Sequence, residues 1–82
     1  MRRDVLLPEL GLGELPIRVC RWFCEPGEVV IEGDRLVQVV AGSVSVDLPS
    51  PLSGIFRRAV AELDEPLLTG QRLAVIEAEA EE

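Results

Sequence analysis

The chain has 82 residues, which suits one small domain with a thin core and excludes a multidomain enzyme. Eight basic against fifteen acidic residues leave a net charge of −7, so the general field disfavours nucleic acid and anionic membrane surfaces. There is no His, Tyr or Lys, and all eight basic residues are Arg, which removes the imidazole base, the Ser-His and Cys-His pairs, the Schiff base and the side-chain amine.

In chain order, the short Val-, Ile- and Leu-rich runs between dense Gly and Pro predict strands and no sustained helix. The expected strands are 4–7, 17–24, 35–40, 44–48, 55–61 and 72–78, with short bridging strands at 29–30 and 67–68. The fold class read from this pattern is all-β. Ala41-Gly42-Ser43 between two alternating strands predicts a tight hairpin turn at the chain midpoint, because Gly42 can take positive φ. No apolar run reaches the ~18 residues of a membrane span. Residues 1–78 are expected to form the domain, and 79–82, within the acidic stretch from Glu77, a frayed C-terminal tail.

The stretch from Glu28 to Val39 aligns with Glu65 to Ile76, a repeat with an offset of 37 residues. Each copy reads as an apolar pair, a Gly turn and an alternating strand. Neither half can bury a sheet face alone, so the two are expected to pack on each other as a pseudo-two-fold β-sandwich.

Period-two spacing puts Cys20, Trp22 and Cys24 on one strand face and Val19, Arg21 and Phe23 on the other. Four residues along one strand separate the thiols by about 13 Å, beyond the ~7 Å reach of a disulfide. Packed, reduced thiols are expected, and Trp22 is expected in the core. Two Cys without His cannot complete a four-ligand zinc site, so no metal site is expected. Leu10-Gly11-Leu12-Gly13 lacks the third Gly of a dinucleotide loop. In the Arg57-Arg58 pair, one side chain is expected to face solvent, where it could meet a carboxylate. Ser50 and Ser53 read as turn residues.

Four stretches make the chain resemble the lipoyl/biotinyl carrier-domain family, most closely the lipoyl domains of 2-oxo acid dehydrogenase acyltransferases. Leu7 to Gly13 is similar to the opening M-P-[DE]-[IL]-G-E-G, with Leu12 in place of Glu. Trp22 to Asp34 is similar to W-x-x-x-x-G-[DE]-x-V-x-x-G-D. Asp47 to Pro51 with Gly54 is similar to [DE]-[IV]-x-[SA]-P-x-x-G, and Gly70 to Ile76 to the closing G-x-x-L-x-x-[IL].

The resemblance implies a barrel-sandwich hybrid: two four-stranded antiparallel sheets with pseudo-two-fold symmetry. It also implies a modification site at the midpoint hairpin, where family members read E-[ST]-D-K-[AV] and the Lys carries lipoate, or biotin in relatives. Here the positions read Val40-Ala41-Gly42-Ser43-Val44, with Ser43 in the lysine's place. Gly42, Ser43 and Val44 thus form a degenerate attachment hairpin, and neither lipoate nor biotin is expected on a side chain.

The functional expectation is a non-catalytic interaction or structural module, cytoplasmic. Its expected protein partners are 2-oxo acid dehydrogenase or lipoyl-handling subunits, with no nucleic acid and no membrane. Two alternatives stay open: an acyl-carrier component with a different modification at Ser43, or a purely architectural domain.

Overall fold

The computed structural model describes residues 1–78, and the acidic tail at 79–82 lies outside the described residues. Eight strands follow one another: β1 (Arg2–Leu6), β2 (Ile17–Trp22), β3 (Val29–Val30), β4 (Arg35–Ala41), β5 (Val44–Pro49), β6 (Gly54–Ala59), β7 (Pro66–Leu67) and β8 (Arg72–Ala78). They form two four-stranded antiparallel sheets, ordered β1-β8-β6-β3 and β5-β4-β2-β7. The all-β sandwich expected from the strand pattern is the fold observed.

The 37-residue repeat is structural. β2, β3 and β4 map residue for residue onto β6, β7 and β8, while β5 and β1 take equivalent edge positions in the two sheets. The turns match in detail. Gly33 (φ +96°) donates to the Ser50 carbonyl at 2.9 Å, and Gly70 (φ +88°) donates to the Leu7 carbonyl at 2.8 Å. In the same two turns the Asp34 carboxylate accepts from the Ile31 amide, and the Gln71 side-chain carbonyl accepts from the Leu68 amide, both at 3.0 Å. An acid and an amide serve alike because each need only present one acceptor oxygen to an orphan N–H.

The core fills the space between the sheets in two clusters. One gathers Leu7, Ile17, Val19, Val39, Leu48 and Leu73 among others, and the second gathers Val5, Val30, Leu36, Phe56, Ala74 and Ile76. Fully burying each Val, Leu, Ile or Phe among them contributes roughly 1.5–3 kcal/mol. Trp22 packs against both clusters, as expected of a core residue.

Alternation breaks at four places, and these breaks correct the expected facing of several residues. In β2 the pairing passes from Val19↔Val39 to Arg21↔Gln38, so Cys20 is an extra residue opposite no partner. A bulge reverses the in-out parity beyond it. Val19 and Trp22 therefore both face inward, while Cys20 is exposed rather than packed. Cys24 follows the expectation and packs against the second cluster.

The same bulge recurs 37 residues later, where Arg57 is the extra residue between Phe56↔Ile76 and Arg58↔Val75. Consequently both Arg57 and Arg58 face solvent, where strict alternation allowed only one. In β4 and β8 the extra residues are Leu36 and Leu73, so the adjacent pairs Leu36-Val37 and Leu73-Ala74 are buried together.

The candidate functional site at the hairpin tip

β4 and β5 stay paired up to Ala41↔Val44, leaving Gly42 and Ser43 as a two-residue turn. Gly42 has φ +60° and Ser43 does not enter the positive-φ region. Positive φ at the first turn residue alone is the type II′ pattern, whose twist suits the flanking strands. Ala41 is 1% exposed and belongs to the first cluster, so the core reaches the residue before the turn and holds the tip in place. Ser43 and Val44 stand in the open.

The tip has a neighbour. The loop between β1 and β2 is anchored by Leu10 and Leu12, which pack on the first cluster, and is shaped locally by a hydrogen bond from the Gly11 amide to the Glu9 carboxylate at 2.9 Å. It brings Leu15 beside the turn: the Leu15 methyl carbons lie 3.9 Å from where a Cβ on Gly42 would stand. Two large apolar side chains are thus exposed beside the turn: Leu15, 47% exposed and next to Gly42, and Val44, 40% exposed and directly after Ser43. Arg18 sits in register opposite Val40, and Val40 opposite Ser45, one row below the tip.

A Ser hydroxyl becomes a nucleophile when a base takes its proton, and the chain holds no imidazole. A Lys amine, the nucleophile for an amide-linked arm, is absent from the sequence. The arrangement presents a shape, two apolar side chains and a hydroxyl.

The other candidate residues lie elsewhere. Cys20 is on the outer face of β2, away from the core. Burial, with a smaller push from Glu28, raises the Cys24 thiol to about 11, so it is protonated at neutral pH. Ser50 is buried and donates to the Leu52 carbonyl at 2.6 Å, and the Ser53 hydroxyl accepts from the Glu32 amide at 2.9 Å, so both are turn residues as expected. Arg57 meets Glu77 at 3.7 Å, the intrachain carboxylate its position allowed. Sequence reasoning missed Leu15 as a tip neighbour, because its place beside Gly42 depends on how the β1-β2 loop folds back.

Comparison with known proteins places this geometry in context. The biotin/lipoyl family model, described as biotin-requiring enzyme, matches residues 3–76. The dihydrolipoyllysine-residue acetyltransferase component of the acetoin cleaving system of Pseudomonas putida is 39% identical over 77 residues, covering 93% of this chain and 21% of that protein. The corresponding component of the Mycobacterium bovis pyruvate dehydrogenase complex is 34% identical over 74 residues, covering 90% of this chain and 13% of that protein. The chain thus spans about a fifth or less of these relatives. The solution structure of the lipoyl domain of the 2-oxoglutarate dehydrogenase complex from Azotobacter vinelandii superposes with TM-score 0.71 at 21% identity, over 93% of this chain and 98% of that one. A multi-domain long-chain acyl-CoA carboxylase superposes with TM-score 0.76 at 18% identity, over 98% of this chain and 7% of that one.

Proposed function

The chain belongs to the biotin/lipoyl family of carrier domains, and on that premise we propose that it is a carrier-fold module that works without a lipoyl or biotinyl arm, as a non-catalytic docking domain. One observation carries the reading: Ser43 is the second residue of the two-residue turn at the midpoint hairpin, where the resemblance puts the attachment position, and the chain has no lysine at all. An amide-linked arm on a side chain needs that amine.

The system it serves is, on this reading, an acyl-transfer complex of the 2-oxo acid dehydrogenase kind. The similarity to acyltransferase components supports this. Docking uses the hairpin tip with the adjoining loop, where Leu15 and Val44 offer apolar contact around Ser43. Such a module acts by occupancy: it fills a site that a loaded carrier would otherwise visit.

The graft Ser43→Lys tests the reading of the tip. Position 43 does not require positive φ, so lysine enters without backbone strain. A lipoate ligase is expected to load the variant and leave the parent chain unloaded, as read by intact mass. Loading of the parent chain would overturn the proposal.

A further inference from the structure

The outer face of the β1-β8-β6 sheet concentrates positive charge on an acidic molecule. Arg2, Arg57, Arg58 and Arg72 line an open groove there, together with Asp4 and the nearly buried Val75. Four of the chain's eight arginines thus meet on one face, against the two carboxylates of Asp4 and Glu77. The pairing is loose: Arg72 to Asp4 is 3.7 Å, Arg57 to Glu77 3.7 Å and Arg2 to Glu77 3.5 Å. Among the described residues Arg58 has no ion-pair partner.

The pseudo-two-fold supplies a template for what fits. Arg21 and Arg35 are the counterparts of Arg58 and Arg72, and Asp47 pairs with Arg35 at 3.5 Å as Asp4 pairs with Arg72. In that half the Phe23 ring lies under both guanidiniums, with centroid distances of 4.9 Å to Arg21 and 4.5 Å to Arg35. The backbone counterpart of Phe23 is Val60: the Phe23 amide donates to the Leu36 carbonyl at 3.0 Å, and the Val60 amide donates to the Leu73 carbonyl at 2.8 Å. Val60 has no ring, and Arg58 and Arg72 line open groove where their counterparts flank an aromatic face.

We propose that this groove is a docking surface for an acidic segment of a partner protein that inserts an aromatic side chain between Arg58 and Arg72. The ring takes the cation–π position that Phe23 holds in the other half. Flanking carboxylates on the segment pair with Arg57 and Arg58, where guanidinium and carboxylate geometries match. Nucleic acid offers rings and anions too, but its dense charge meets the −7 field of the whole chain, whereas a short acidic segment carries little charge beyond the groove.

The test is an amide chemical-shift titration of the intact chain at low salt with a capped Glu-Asp-Phe-Asp-Glu peptide. The parallel probes are the same peptide with Ser for Phe and a single-stranded oligonucleotide. Saturable shifts confined to β1, β6 and β8 are expected, with binding weakened about tenfold without the ring and lost in Arg58→Glu. Val60→Phe is expected to fold, as the chain accommodates Phe23 in the other half, and to weaken peptide binding by placing a ring beside Arg58 and Arg72 as Phe23 lies beside Arg21 and Arg35. If Val60→Phe does not fold, Arg58→Glu decides. Absence of saturation, equal binding of the ring-less peptide, or preferential binding of the oligonucleotide at this face would overturn the proposal.

Discussion

The rings of Trp22 and Phe56 meet across the space between the two sheets, their centroids 5.6 Å apart and their planes tilted by 48°. Trp22 ends β2 and Phe56 lies in β6, so the contact ties one half of the repeat to the other. The indole N–H also donates to the Ala61 carbonyl at 3.1 Å. Truncation by Trp22→Ala removes the ring contact and leaves that buried carbonyl unpaired. The expected loss is about 3 kcal/mol, read as a fall in melting temperature of roughly 15 °C by circular dichroism. An unchanged melting temperature would show that the halves hold together without this contact.

Gly54 opens β6 where backbone packs on backbone. A methyl group there would overlap the Glu77 carbonyl oxygen of the neighbouring strand β8. The strand cannot move away without breaking the β6-β8 ladder. Gly54→Ala is therefore expected to destabilise by about 2–3 kcal/mol, measurable as a lower denaturation midpoint with the slope unchanged. Gly70→Ala isolates a different cause, since nothing crowds its Cβ and the strain comes from φ +88° alone.

The two thiols should separate cleanly by reactivity. Cys20 is exposed at its bulge, whereas Cys24 is half-buried with its thiol pushed up to about 11 by burial first and Glu28 second. Iodoacetamide at mildly alkaline pH is expected to modify Cys20 first and Cys24 slowly, with peptide mass mapping as the readout. The sign of the pH effect follows. A thiol whose folded value lies above the ordinary 9.0 favours the folded state fully below that value, and the contribution is lost as pH rises from about 9 to about 11. Cys24→Ser should flatten the alkaline stability profile in that window.

How much of this was legible in the sequence follows from the physics of each feature. Every strand was readable, because Val, Ile and Leu alternate between Gly turns, and the offset of 37 residues carries the two-fold in the sequence itself. The strand ends differ modestly. β1 starts at Arg2 because edge pairing with β8 is made by backbone, to which exposed side chains give no pattern. β2 ends at Trp22, and β7, an edge strand like β1, shifts back to Pro66. Facing at Cys20 and Arg57 was not legible, since neither bulge is marked by a glycine. Their partners in β4 and β8 do leave a trace: Leu36-Val37 and Leu73-Ala74 are adjacent apolar pairs inside otherwise alternating strands. At the candidate site the turn residues were readable from Ala41-Gly42-Ser43, but Leu15 was not, because its approach to Gly42 depends on how the β1-β2 loop folds back.

The most direct measurement is the intact mass of the protein isolated from the cells that make it. An armless module returns the mass of its amino-acid sequence, before and after treatment with a lipoamidase. An added lipoyl, biotinyl or phosphopantetheinyl mass, mapped to the peptide holding Ser43, would contradict the account.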